Sequence, residues 1–290
     1  MSTAEPIAVT SNGHRTRLKW HRARKRADDP PFTRSRIVEG MAVGASVEVD
    51  LVIHGSGSSA ARGFAILHDR DLAGTTTGFG DVAEAPADYL RSLSLRDNDG
   101  HRIDEPVTLL DELGGLLTDI HPKALLQLDL KQSARDLDES IVRAFVGAVT
   151  PFAEHAILSC GDADAVRILT DAVPRLRVGF DPCHHGAVDR VRRWRTYRRF
   201  VDHAVAASPR AEVIYLDRRL VLTVADRGTD LVAAFHAAGR EIDIYTFGRA
   251  DDPAIDRALE LRADAITTDD PHGVAQRFGS ATGGSGVSRP

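Results

Sequence analysis

The sequence predicts an α/β chain folded as a closed parallel (β/α)8 TIM barrel. Short apolar runs alternate with amphipathic segments about eight times over some 260 residues. That spacing suits strand–helix units returning to one sheet. An open doubly wound sheet competes, but it would bring a glycine-rich turn after its first strand, and none is present. No repeat at a solenoid or propeller period is present either.

The expected strands, in order, are 18–21, 46–52, 64–68, 124–131, 156–160, 176–180, 213–216, 242–247 and 265–268, most of them short apolar runs. Between them 34–43, 108–117, 134–149, 163–172, 187–207, 230–238 and 253–261 carry helical spacing. The glycine-rich, polar stretch 69–105 reads as loops long enough to cover a site. We expect a flexible leader over 1–16, a barrel domain over 17–278 and a flexible tail over 279–290, whose "GSATGGSGVSRP" is glycine- and serine-rich.

At 290 residues with 42% hydrophobic and 27% charged side chains, the chain can bury a core of ordinary size. A net charge of −5 argues against a general nucleic-acid binder. The basic segment "DRVRRWRTYRRF" is read as a solvated helix with Trp194 and Tyr197 turned inward. Cys160 and Cys183 are too few for a disulfide framework, no secretory signal is expected from "MSTAEPIAVTSN", and no apolar run of membrane length is present. A cytoplasmic location is expected.

Two strands carry a polar row. In "SVEVDLV", Glu48 and Asp50 share one face and Val47, Val49 and Leu51 the other. In "LLQLDLK", Gln127, Asp129 and Lys131 alternate with leucines in the same way. In an antiparallel sheet such rows would mark a wet face. In a barrel the outer face must be apolar to meet the helices, so the polar row points inward. Three converging carboxylates then need a cation, and hard oxygen ligands favour Mg2+ or Ca2+. His68 closes "FAILH", and "LKWHRARKR" presents His21 after an apolar run, with His14 in "NGHRT" as a rival. Strand ends are where barrels keep their chemistry, and two imidazoles there could act as base and acid. "DPCHHG" is read as a loop, since three adjacent residues aim poorly at one ion.

The ordered set His21-Arg22, Glu48-x-Asp50, His68-Asp69, "TTTGFG" (75–80), Asp129-x-Lys131 and "ADAITTDDP" (263–271) resembles the glycerophosphodiester phosphodiesterase family, of the PLC-like TIM-barrel type. The resemblance spans nearly all of the chain except its two tails. It implies a metal-dependent phosphodiesterase that hydrolyses glycerophosphodiesters, or lysophospholipids, through a cyclic phosphate. It also implies His21 and His68 as the catalytic pair, Arg22 and Lys131 on the phosphate, and one divalent cation, Mg2+ or Ca2+, on Glu48, Asp50 and Asp129. The family's spacing selects His21 over His14. A phospholipase D-like enzyme releasing the cyclic phosphate, and a non-catalytic phosphate-binding barrel, are the alternatives. The expected partner is a small-molecule phosphodiester or lysophospholipid, with no nucleic acid. The chain departs from the family at Ala23, where glycine is usual, at "PPFT" (30–33), at Tyr245 and at Asp129, where glutamate is commoner.

Overall fold

The computed structural model describes residues 6–56, 62–184 and 186–279. Its strands are β1 (Ala8–Ser11), β2 (His14–Trp20), β3 (Ser46–His54), β4 (Gly63–Ile66), β5 (Ser94–Arg96) and β6 (Arg102–Pro106), followed by β7 (Leu125–Leu130), β8 (Ala156–Cys160), β9 (Arg177–Phe180), β10 (Val213–Asp217), β11 (Glu241–Phe247) and β12 (Ala265–Thr268). Eight of them, β2, β3 and β7 to β12, run parallel in that order, and pairing of β12 with β2 closes the barrel. The (β/α)8 expectation is met.

Closure explains the alternating sequence pattern. Leu18, Val47, Val49, Leu126, Leu128, Leu158, Ile214, Ile244 and Ile266 join one core with Ile37, Phe145, Leu169, Val221 and Phe235 of the surrounding helices. Inside the barrel a separate apolar cluster of Leu125, Ile157, Val213 and Tyr215 plugs the lumen. Above it lies a buried polar layer. Lys19 Nζ is 2.6 Å from Asp243 Oδ2 and donates to Gln127 Oε1 at 2.5 Å, and Thr267 Oγ1 donates to Asp243 Oδ1 at 2.8 Å. Burial lowers the Lys19 pKa although Asp243 opposes it. With its partners placed, this layer is a rigid floor for what sits above.

Several expectations change. Residues 64–66 are no barrel stave: β4 runs antiparallel to the far end of β3, pairing Leu51 with Ile66 and His54 with Gly63. Apolar composition alone does not distinguish a hairpin arm from a parallel strand. Residues 8–16, expected within a flexible leader, form β1 and the start of β2, antiparallel to each other. The hairpin is fastened by Trp20, whose indole donates to the Pro6 carbonyl at 3.1 Å, and by Leu18 N–H on the Ile7 carbonyl at 3.0 Å. The helix expected over 187–207 is two, Ala187–Trp194 and Tyr197–Ala207, broken where Arg195 takes φ 52°. Trp194 is 67% exposed rather than turned inward. The helices Arg218–Ala225 and Pro271–Gly279 were not anticipated. The second ends on Gly279; the rest of the expected tail, and residues 1–5 of the expected leader, lie outside the described residues. Among the described residues no helix is long and apolar enough to cross a membrane.

Candidate active site

The C-terminal ends of the parallel strands open into a cavity of about 250 Å³. His21, Arg22, Glu48, Asp50, His68, Asp129 and Lys131, the seven residues singled out in the sequence, all line it. The inward polar rows bring the acids together. Asp50 on β3 stands opposite Asp129 on β7, and Asp129 opposite Ser159 on β8. One oxygen from each of Glu48, Asp50 and Asp129 lies within 4.8 Å of the others.

Such crowding has to be offset. Lys131 Nζ sits 2.5 Å from both Asp50 Oδ1 and Asp129 Oδ2, and Ser159 Oγ donates to Asp129 Oδ1 at 2.6 Å. Burial pushes the Asp129 carboxyl up, but Lys131 and Ser159 together hold it below the usual range. Burial and then the charge of Glu48 push Asp50 up to about 7, and burial raises Glu48 as well. Burial would lower Lys131, yet the three acids hold it above its ordinary value. One lysine thus cannot neutralise the ring. Asp50 Oδ2 and Arg22 Nε, 3.3 Å apart, are both buried without a hydrogen-bond partner. A buried carboxylate oxygen with no donor is what a hard divalent cation satisfies. The donor set fits one.

His21 and Arg22 leave β2 through a tight turn in which Arg22 and Ala23 take φ 52° and 59°. The turn points the Arg22 N–H at Glu48 Oε2, 2.6 Å away. Ala23 is fully buried in that left-handed conformation. A glycine would adopt it freely, whereas alanine is held there at a cost of about 1–2 kcal/mol. Both imidazoles meet a carboxylate through Nδ1: His21 with Asp269 Oδ1 at 2.7 Å, and His68 with Asp69 Oδ1 at 2.7 Å. Each pairing engages Nδ1 and leaves Nε2 as the ring nitrogen not held by that carboxylate. His68 follows β4 by two residues, so a hairpin arm rather than a barrel stave carries it to the cavity.

Sequence reasoning gave no role to Asp269, which also accepts from Arg24 Nη1 at 2.8 Å. Its position immediately after β12 was the available signal. The described residues of the "DPCHHG" segment, 181–184 and 186, form turns as expected, yet Asp181 and His184 line the cavity. Tyr245 Oη donates to Asp181 Oδ2 at 2.7 Å, and His184 Nε2 is 3.0 Å from the same oxygen. The His184 ring rests where a Cβ on Gly161 would stand, 2.4 Å from its Cγ. The missed signal was again a strand end, that of β9.

Residues 62–272 match the model of the glycerophosphoryl diester phosphodiesterase family. The chain belongs to this family. It is therefore a phosphoric diester hydrolase. The matched segment holds His68, Asp129, Lys131 and Asp269 but begins after His21, Arg22, Glu48 and Asp50, which the barrel itself brings to the same cavity. Solved structures share the fold. A glycerophosphoryl diester phosphodiesterase from Parabacteroides distasonis aligns with a TM-score of 0.65 at 16% identity, covering 95% of this chain and 90% of its own. One from Agrobacterium tumefaciens aligns at 0.61 and 20%, covering 90% and 99%. An Oleispira antarctica phosphodiesterase in complex with the product sn-glycerol-3-phosphate aligns at 0.62 and 18%, covering 92% and 96%. No curated protein matches the sequence.

Proposed function

We propose that the chain hydrolyses small glycerophosphodiesters to an alcohol and glycerol phosphate with the aid of one divalent cation, Mg2+ or Ca2+. The observation that carries this reading is the single cavity lined by two carboxylate-paired imidazoles and a three-carboxylate ring. Glu48, Asp50 and Asp129 would hold the cation, which supplies Lewis-acid stabilisation of phosphoryl oxygens. Arg22 and Lys131 hold the phosphate and offset its charge as it grows in the transition state.

The glycerol hydroxyl next to the phosphodiester is the nucleophile. It is already tethered, so attack does not require capture of a second molecule. One imidazole takes its proton through Nε2, the oxygen–phosphorus bond to the leaving alcohol breaks, and the other imidazole protonates that alcohol. Water then opens the cyclic phosphate with the two roles exchanged. Asp269 and Asp69 hold the rings in the required tautomer and stabilise each imidazolium as it forms. The product carried by the Oleispira antarctica neighbour is the one this reaction would leave.

Phosphorus NMR of glycerophosphocholine incubated with the protein tests the reading. Glycerol phosphate should accumulate with Mg2+ or Ca2+, EDTA should stop it, and His21→Ala should abolish it. A cyclic phosphate that persists would assign the phospholipase D-like reaction instead. Turnover unaffected by His21→Ala would overturn the mechanism.

A further inference from the structure

Next to the catalytic cavity lies a second one of about 510 Å³, and His184 lines both. Two helices wall it. Arg190, Val191 and Trp194 face it from helix Ala187–Trp194, and Arg199, Phe200 and His203 face it from helix Tyr197–Ala207, with Thr196 just ahead of the second. Each set follows helical spacing, three, four and seven residues on from Ala187 and from Thr196. On one unbroken helix the second set would lie about half a turn round from the first. Arg195, left-handed at φ 52°, breaks the helix and turns both sets into one hollow.

The charges in that hollow are of one sign. Arg190, Arg199, His184 and His203 line it, and among the described residues no carboxylate does. The acids of the two helices, Asp189 and Asp202, sit against Arg192 and Arg198, which are outside the lining. Asp181, on the catalytic side, is met by Tyr245 Oη and His184 Nε2. That pairing leaves His184 more cationic than an ordinary histidine. Val191 and Phe200 supply buried carbon to the walls, while Trp194 is 67% exposed with the Arg193 guanidinium 5.2 Å over its ring.

We propose that this cavity receives the leaving alcohol of the diester and selects one that carries a phosphate of its own. The inference rests on the phosphodiesterase reading above and names the alcohol that departs. A cationic head group would meet guanidinium and imidazole side chains and no carboxylate. A neutral polyol would use hydrogen bonds alone and gain nothing from the charge. A phosphate offers each guanidinium a bidentate acceptor, and Thr196 and His203 can donate as well. Because His184 lines both cavities, the phosphate under attack and the second phosphate occupy adjoining spaces. The bond broken is still the one between phosphorus and the alcohol oxygen. The alcohol departs with its own phosphate intact, and no other bond changes.

The test compares kcat/KM at low ionic strength for glycerophosphoethanol, for glycerophosphocholine, and for glycerophosphoethanol bearing a terminal phosphate or a terminal carboxylate. None of these alcohols has a hydroxyl of its own, so attack comes only from the glycerol. The phosphorylated diester should exceed glycerophosphoethanol by roughly tenfold, and added NaCl should narrow the gap. Arg190→Gln and Arg199→Gln should each lower kcat/KM for the phosphorylated diester by roughly threefold to tenfold, mainly through KM. Both side chains are exposed, so folding is at little risk. Arg198→Gln removes the same charge from the same helix outside the cavity lining and should leave the preference intact. Equal kcat/KM with and without the phosphate, a preference for the carboxylate or for choline, or a phosphate preference indifferent to Arg190→Gln and Arg199→Gln overturns the inference while the phosphodiesterase reading stands. If no diester is hydrolysed, that reading falls, and calorimetry with inorganic phosphate in EDTA decides the cavity. The double variant Arg190→Gln, Arg199→Gln must then bind phosphate more weakly than Arg198→Gln, and equal affinities overturn the inference.

Discussion

Replacing Asp269 by asparagine keeps the shape of the side chain and removes the charge facing His21. In the native protein one oxygen of Asp269 takes the His21 Nδ1 at 2.7 Å and Arg24 Nη1 at 2.8 Å. Burial opposes the ionised carboxyl, but His21 and Arg24 hold it below its ordinary pKa, so it is anionic at neutral pH. A hydrogen bond to a charged group contributes about 1.5–3 kcal/mol and a neutral one about 0.5–1.5 kcal/mol. The side chain is 23% exposed, which screens the pair moderately and leaves a loss of about 1.5 kcal/mol when His21 carries a proton. That corresponds to a fall of roughly tenfold in kcat/KM. Asp69 offers an internal control. It pairs with His68 at the same 2.7 Å, but its side chain is 53% exposed and its partner's 38%. Water screens that pair more, so Asp69→Asn should cost less, about twofold to threefold. Steady-state kinetics of both variants at saturating Mg2+ decide the matter. The reasoning fails if Asp269→Asn stays within twofold of the native enzyme, or if Asp69→Asn is the more damaging change.

Other outcomes follow from the same geometry. A Cβ on Gly179 would lie 2.6 Å from Tyr215 Cε2 and 3.2 Å from the Leu158 carbonyl oxygen, so Gly179→Ala should destabilise the barrel by about 1–3 kcal/mol in urea unfolding. Gly115, in the helix Leu110–Leu116, has open space at the same position, and Gly115→Ala should stabilise by about 0.5–1 kcal/mol. The hydrogen bond that His184 donates to Asp181 raises the His184 pKa above its ordinary 6.5, against the opposing effect of burial. The pair's contribution is therefore full below pH 6.5 and is lost as pH rises through the higher folded-state value. The stability of the native protein relative to His184→Asn should thus be greatest in acid and shrink above neutrality; a difference that grows with pH would contradict the pairing.

Much of the site was legible because strand side chains alternate. Glu48, Asp50, Gln127, Asp129 and Lys131 had to share a face once Val47, Val49, Leu126 and Leu128 were given to the helices, and the barrel turned that face inward. What escaped depends on pairing partners and on turn conformation rather than composition. Nothing in "GFAI" tells whether it pairs parallel or antiparallel, so composition alone lists 64–68 as a strand without separating the arm that carries His68 from the staves. The β1 hairpin is short and polar, and it is fixed by contacts of Trp20 and Leu18 with residues 6 and 7. The break at Arg195 lies in a run without glycine or proline, where only the left-handed backbone reveals it. Asp269 and His184 gained their places from strand ends far apart in sequence, β12 and β9, which meet the β2 turn and β7 only after the barrel closes.

The most direct measurement is a crystal structure of the protein with Mn2+ and sn-glycerol-3-phosphate, using the anomalous signal to place the ion. The account predicts the ion on Glu48, Asp50 and Asp129, with Lys131 drawn off those carboxylates onto phosphate, and the phosphorus between His21 and His68. An ion bound elsewhere, or a phosphate beyond the reach of either imidazole, would contradict it.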